Sequence, residues 1–104
     1  MPLTSKQRAQ LRALANNMET IVQIGKGGIG EQLTKQVSDA LLKRELIKCH
    51  VLETCELSPR EAAEQIAAET ASELVFVIGS RFVLYKRHPK KPVIQLVTQK
   101  AKKP

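Results

Sequence analysis

Apolar residues recur along this chain with two periods, and the changes of period mark its elements. Leu11, Leu14, Ala15 and Met18 keep helical spacing, which predicts a first helix over about residues 5–18. Thr4, with Gln7 three positions on, has the form of a capping box at its start. Asn16 and Asn17 are a stop signal, because asparagine tolerates the left-handed conformation. Lys6, Arg8 and Arg12 fall mostly elsewhere on the wheel, which predicts a solvated basic face. Residues 21–24 are β-rich and bounded by Gly25, so they read as a short strand. Ile29, Leu33, Val37 and Leu41, with Ala40 beside them, then form one stripe on a helix over about residues 30–44. Lys43 and Arg44 sit at its last turn, where cations suit the dipole.

Residues 46–52 read as a second strand. Strand, helix and strand over about 30 residues make a βαβ unit, which expects parallel strands and a right-handed crossover. Ser58, Pro59 and Glu61 then supply a cap, a first-turn proline and the closing half of a capping box. Ala62, Ala63, Ile66, Ala67 and Ala71 give the third helix a small-residue face ending near Ser72. Residues 74–78 and 82–85 are apolar runs around Gly79, Ser80 and Arg81, the pattern of a hairpin with a tight glycine turn. The order is α-β-α-β-α-β-β: an α/β class single domain with three helices and a four-stranded mixed sheet. Beyond Tyr85, Pro89 and Pro92 among Lys86, Arg87, His88, Lys90 and Lys91 resist regular structure. Residues 93–97 then either add a strand or cover the core, and 100–104 read as frayed. The division is a domain over residues 1–87 and a basic C-terminal extension over 88–104.

Composition narrows the class. The chain has 104 residues, 42% hydrophobic and 26% charged, which suits one globular domain with its own core. No apolar run approaches the roughly 20 residues that span a bilayer. The N-terminal residues show no signal-peptide apolar region, and Cys49 and Cys55 make no disulfide framework. A cytoplasmic protein without membrane contact is the expectation. The net charge of +7 is unevenly placed: all ten acidic residues precede position 81, and residues 81–104 carry eight Lys/Arg. A basic, acid-free end on a near-neutral body points to a polyanion partner or to a solubilising tail.

The candidate chemistry lies between the first strand and the second helix. Gly25, Gly27, Gly28 and Gly30 surround Lys26 and Ile29, removing side chains where a ligand could approach closely. The next helix directs its first-turn N–H groups and its dipole to the same place, so the loop reads as phosphate-facing. The stretch satisfies G-x-G-x-x-G after a strand and before a helix, the dinucleotide fingerprint in its local context. That fingerprint expects an acidic residue about 20 positions on, and the nearest candidate, Glu53, comes later. It also expects a doubly wound sheet, not one βαβ unit followed by a hairpin. A small nucleotide-binding enzyme is therefore the alternative reading. Gly25 to Gly28 is also a G-x-x-G loop, which clamps nucleic-acid backbone in KH modules, although there the loop joins two helices.

Three pieces, in order, carry a closer likeness. Val22-Gln23-Ile24-Gly25-Lys26-Gly27-Gly28, Glu45-Leu46-Ile47-Lys48, and Val77-Ile78-Gly79 followed by Val83-Leu84-Tyr85-Lys86 resemble the CRM domain. The resembling form is the bacterial stand-alone (YhbY-like) one, related to chloroplast RNA-splicing and ribosome-maturation proteins, and the likeness runs from about Leu3 to Arg87. It implies a fold similar to the C-terminal domain of translation initiation factor three. It also implies RNA binding with large-subunit rRNA or pre-ribosomal particles as partners. On that resemblance Gly25, Lys26, Gly27 and Gly28 form the RNA-backbone loop, and Lys48 on the second strand is a further RNA-contact candidate, with a solvated edge charge as the alternative. Arg81, Lys86 and Arg87 are contact candidates by charge. One departure is Glu69-Thr70-Ala71-Ser72, where family members often end the helix with glycine.

Phe76, Phe82 and Tyr85 fall in strand patterns and read as core, so recognition by shape and phosphate is expected, with structured double-helical RNA favoured. Catalysis and cofactors find little support. Cys49, His50 and Cys55 lack a paired C-x-x-C, and strand alternation sends Cys49 and His50 to opposite faces, which predicts a buried thiol and a surface imidazole. Glu61 and Glu64 are helix-start carboxylates. The expectation is a binding protein with no metal, no cofactor and no enzymatic activity.

Overall fold

A computed structural model describes residues 3–94 and Leu96. Three helices and four strands follow in the order α1 (Ser5–Ala15), β1 (Thr20–Ile24), α2 (Glu31–Arg44), β2 (Leu46–Val51), α3 (Pro59–Thr70), β3 (Glu73–Ile78) and β4 (Arg81–Tyr85). Both capping boxes close. Gln7 N–H donates to Thr4 Oγ1 at 3.1 Å while Thr4 N–H donates to Gln7 Oε1 at 3.0 Å, and Ser58 with Glu61 repeats the pattern at 3.1 and 3.0 Å. Each box satisfies two first-turn amides that the helix itself cannot. α1 stops at Ala15, before Met18, and Asn16 closes it in the right-handed region at φ −53°.

The sheet order is β1-β2-β4-β3, with β1 and β2 parallel and the other two pairs antiparallel. Period-two alternation divides its residues between two cores. Val22, Ile24, Ile47, Cys49, Val51, Phe82 and Leu84 pack with Val37 and Leu41 of α2 and with Ala62, Ala63, Ile66 and Ala67 of α3. The alanines let α3 approach the sheet closely. On the opposite face Leu46, Val75, Val83 and Tyr85 pack with Leu11 and Ala15 of α1. A register shift between Leu74 and Phe76 puts the adjacent residues Val75 and Phe76 on this same side, the signature of a bulge.

α1 is not simply solvated on its basic side. Arg8 Nη1 donates to the carbonyls of Leu74 at 2.6 Å and Val75 at 3.0 Å, and the Arg12 guanidinium lies 4.9 Å from the Phe76 ring centroid. Both arginines reach to β3, an edge strand whose unpaired carbonyls at the bulge require donors. The helical wheel omitted this because those acceptors lie more than sixty positions away.

Among the described residues no strand follows β4. Ile94 and Leu96 instead pack against the α1 core, so of the two expectations for residues 93–97 the covering one holds where the structure is described. Gln95, Val97 and the 100–104 segment expected to fray lie outside the described residues. The anchor is Glu45, which is 1% exposed. Its Oε2 accepts the His88 N–H at 2.8 Å, and its Oε1 accepts those of Val93 at 2.9 Å and Ile94 at 2.7 Å. Burial pushes this carboxyl up, but the three N–H donors with the His88 charge outweigh it and hold Glu45 below the usual carboxylate range.

Candidate nucleic-acid interface

The glycine loop leaves the sheet at the C-terminal end of β1. Gly28 N–H donates to the Gly25 carbonyl at 2.9 Å, which closes a turn with Lys26 and Gly27 at its corners. Gly28 takes φ +70° and so uses the freedom that only glycine gives without strain. Gly27 is different. Its φ is not positive, and a Cβ built there would meet nothing within 4 Å. The fold therefore tolerates a side chain at Gly27, and only something arriving from outside would need the space. Lys26 and Gly27 are both exposed. Gly25 sits against the connection after β2, where a Cβ would lie 3.4 Å from Leu52 Cδ1 and 3.5 Å from Thr54 Oγ1.

The end of β2 fastens two parts of this end of the sheet. Leu52 N–H donates to the Ile24 carbonyl at 2.8 Å, at the base of the glycine loop, and Val51 N–H donates to Ser80 at 2.7 Å, in the hairpin turn. Gly79 opens that turn at φ +59°. Arg81, in register with His50, is thereby held at the same end as Gly25, Lys26, Gly27 and Gly28. The local field is mixed. Glu31 lies in the first turn of α2, and Glu53 and Glu56 are exposed in the connection after β2. Glu31 already complements the helix dipole, so an anion here would depend on the turn amides and on Lys26.

The other candidates are not all in this cluster. Lys48 stands on an interior strand, half-buried, in register with Thr20 and Val83. Lys86 and Arg87 follow the far end of β4, where Tyr85 pairs with Leu46. Lys86 lies five residue steps beyond Arg81, roughly 17 Å at about 3.4 Å per step. Lys86 is also engaged: its Nζ donates to the Thr70 carbonyl at 2.9 Å and so satisfies the last turn of α3. Arg87 is exposed. Charge alone could not distinguish Lys86, which closes a helix, from Lys26, which is exposed and makes no hydrogen bond or ion pair among the described residues. Arg8, Arg12 and Glu45 are the residues that spacing omitted, and their partners are all distant in sequence.

The nucleophile and metal readings are weak here. Burial raises the Cys49 thiol to about 12, which keeps it a thiol rather than a reactive thiolate. Cys49 is fully buried and His50 half-buried on the opposite face. Among the described residues no three His, Cys, Asp or Glu side chains come together to hold a metal, and no helix is long and apolar enough to cross a membrane. The sheet has one parallel pair, short of the doubly wound sheet that a dinucleotide fingerprint expects.

Comparison with known proteins gives a consistent likeness. The chain is 42% identical over 94 residues to "Probable RNA-binding protein YqeI" of Bacillus subtilis, covering 90% of this chain and 98% of that protein. It is 31% identical over 84 residues to a Haemophilus influenzae protein named "RNA-binding protein", covering 81% and 85%. The solution structure of SAV1595 from Staphylococcus aureus superposes with a TM-score of 0.77 at 48% identity, covering 91% of this chain and 99% of that one. The model of the CRS1 / YhbY (CRM) domain matches residues 3–86, and the chain belongs to that family.

Proposed function

We propose that this protein binds structured RNA through the turn at Gly25, Lys26, Gly27 and Gly28, and that it acts in the cytoplasm on large-subunit rRNA during ribosome assembly. The observation that carries the proposal is Gly27, a glycine that neither backbone conformation nor packing demands, beside an exposed Lys26. Small side chains and amides let a sugar-phosphate backbone come close, and the ammonium neutralises a phosphate. Arg81 contributes a second cation at the same end, and Lys48 one on the adjoining sheet face. Lys86 is assigned to the α3 terminus, and Arg87 to a secondary contact at the far end. Phe82 and Tyr85 are buried, and the half-buried Phe76 ring lies under Arg12, which leaves little ring surface for bases and favours duplex RNA recognised by shape.

Binding to a structured large-subunit rRNA fragment, measured beside free ATP and NAD, tests the proposal. Salt-dependent binding to the RNA with none to either nucleotide is the expected result. Saturable nucleotide binding without RNA binding would overturn it in favour of the small-enzyme reading.

A further inference from the structure

Gln23, His50, Arg81 and Ile78 stand side by side across all four strands. Gln23 is in register with His50, His50 with Arg81, and Arg81 with Ile78. Their chain neighbours Ile24, Cys49, Phe82 and Val77 face the α2 and α3 core, so alternation turns these four to the α1 side. α1 leaves that end open, because its buried residues Leu11 and Ala15 sit over Leu46, Val75, Val83 and Tyr85. Gln23 and Arg81 are exposed, Ile78 is 59% exposed and His50 half-buried. The row spans roughly 14 Å at a strand spacing of about 4.8 Å. It begins at Gln23, where β1 runs into the glycine loop.

We infer that this open row is a track for a short single-stranded RNA segment continuing from a duplex held at the glycine loop. The inference rests on the reading of that loop as an RNA site. Charge complementarity names the occupant. Arg81 in the row, Lys48 beside it and Arg12 over Phe76 set three cations on or beside this face. The strands hold a single carboxylate, Glu73, at the opposite end in register with Tyr85. The imidazole of His50 and the exposed flank of Ile78 offer surface to bases, and the Gln23 amide can donate and accept. Unpaired bases stack on imidazole and guanidinium planes, which His50 and Arg81 supply in the row, while Ile78 adds apolar contact. The row holds no Phe, Tyr or Trp, so its grip is sequence-tolerant.

The test uses the full chain and two RNAs, a blunt duplex and the same duplex with a short unpaired extension. Wild type should bind the extended RNA at least about fivefold more tightly, the worth of one stacked base. The double variant His50→Ala/Ile78→Ala should keep wild-type affinity for the blunt duplex and lose the gain to within about twofold. Gln23→Ala, at an exposed position, serves the same comparison if the double variant proves unstable. An extension that adds nothing for wild type, or a gain that survives the substitutions, overturns the track and leaves the loop reading standing. Loss of blunt-duplex binding by a variant with an unchanged urea midpoint also overturns it, because the row would then serve the duplex. A wild type that binds neither RNA overturns the loop reading, and the track with it.

Discussion

Ile94 N–H donates to Glu45 Oε1 at 2.7 Å across 49 positions of the chain. Glu45 itself sits at φ +66°, between α2 and β2, and its own carbonyl accepts the Lys86 N–H at 2.8 Å. One residue thus turns the chain out of a helix, opens a central strand and holds the segment after β4. A positive φ at a non-glycine residue is costly, and here it aims a buried carboxylate at three amides.

Glu45→Gln should therefore destabilise the fold by about 1–3 kcal/mol, because the amide presents donors where the carboxylate accepted. The pH dependence follows from the same contacts. Glu45 ionises more readily when folded than when unfolded, so its stabilisation is present above the ordinary carboxylate range. It is lost as pH falls through the lower folded value, where the unfolded chain has bound the extra proton. Urea unfolding from neutral to acid pH should show a smaller acid loss in Glu45→Gln than in wild type.

Ala71 ends α3 in the left-handed region at φ +55°. It lies in the Glu69-Thr70-Ala71-Ser72 stretch where the resemblance expects a helix-ending glycine, and alanine keeps the geometry at a cost. The Lys86 ammonium on the Thr70 carbonyl and the Ser72 N–H donated to Ala67 at 2.9 Å help hold it. Ala71→Gly should raise stability by up to about 1 kcal/mol by relieving the Cβ, read as a higher urea midpoint with an unchanged slope.

Tyr85 is 4% exposed, and its hydroxyl has no hydrogen-bond partner among the described residues. Burial, and then the Glu45 charge, raise its ionisation above the ordinary phenol range, with Arg87 opposing. Tyr85→Phe should be neutral or stabilising by about 1 kcal/mol, since it removes a polar group left unpaired in the core. A clear loss of stability on thermal unfolding would mean that the hydroxyl is satisfied.

What the sequence made legible were the local devices. Thr4 with Gln7, Ser58 with Pro59 and Glu61, and Gly79 all act within a few residues, so each reads from spacing alone. The glycine-rich turn between β1 and α2 was legible as a turn for the same reason. What spacing could not reach were contacts closed by the fold. Arg8 and Arg12 read as solvated because their partners lie on β3, and Glu45 read only as the first residue of the Glu45-Leu46-Ile47-Lys48 piece. Lys26, Arg81 and Lys86 look alike as cations, and the sheet register sends the third to the opposite end. Ala71 carries no glycine to announce its conformation, so α3 was expected to run to Ser72.

The turn at Gly25 to Gly28 separates folding from binding. Gly28→Ala places a Cβ at φ +70° and should cost about 1 kcal/mol of stability. Gly27→Ala should leave the urea midpoint unchanged and weaken RNA binding, because its Cβ meets nothing within 4 Å among the described residues.

The most direct measurement is duplex-RNA affinity across a salt series for wild type and Lys26→Ala. A phosphate contact at Lys26 predicts weaker binding and a log–log salt slope smaller in magnitude by roughly 0.7–0.9. An unchanged affinity and slope would contradict the account and leave the glycine loop a structural turn.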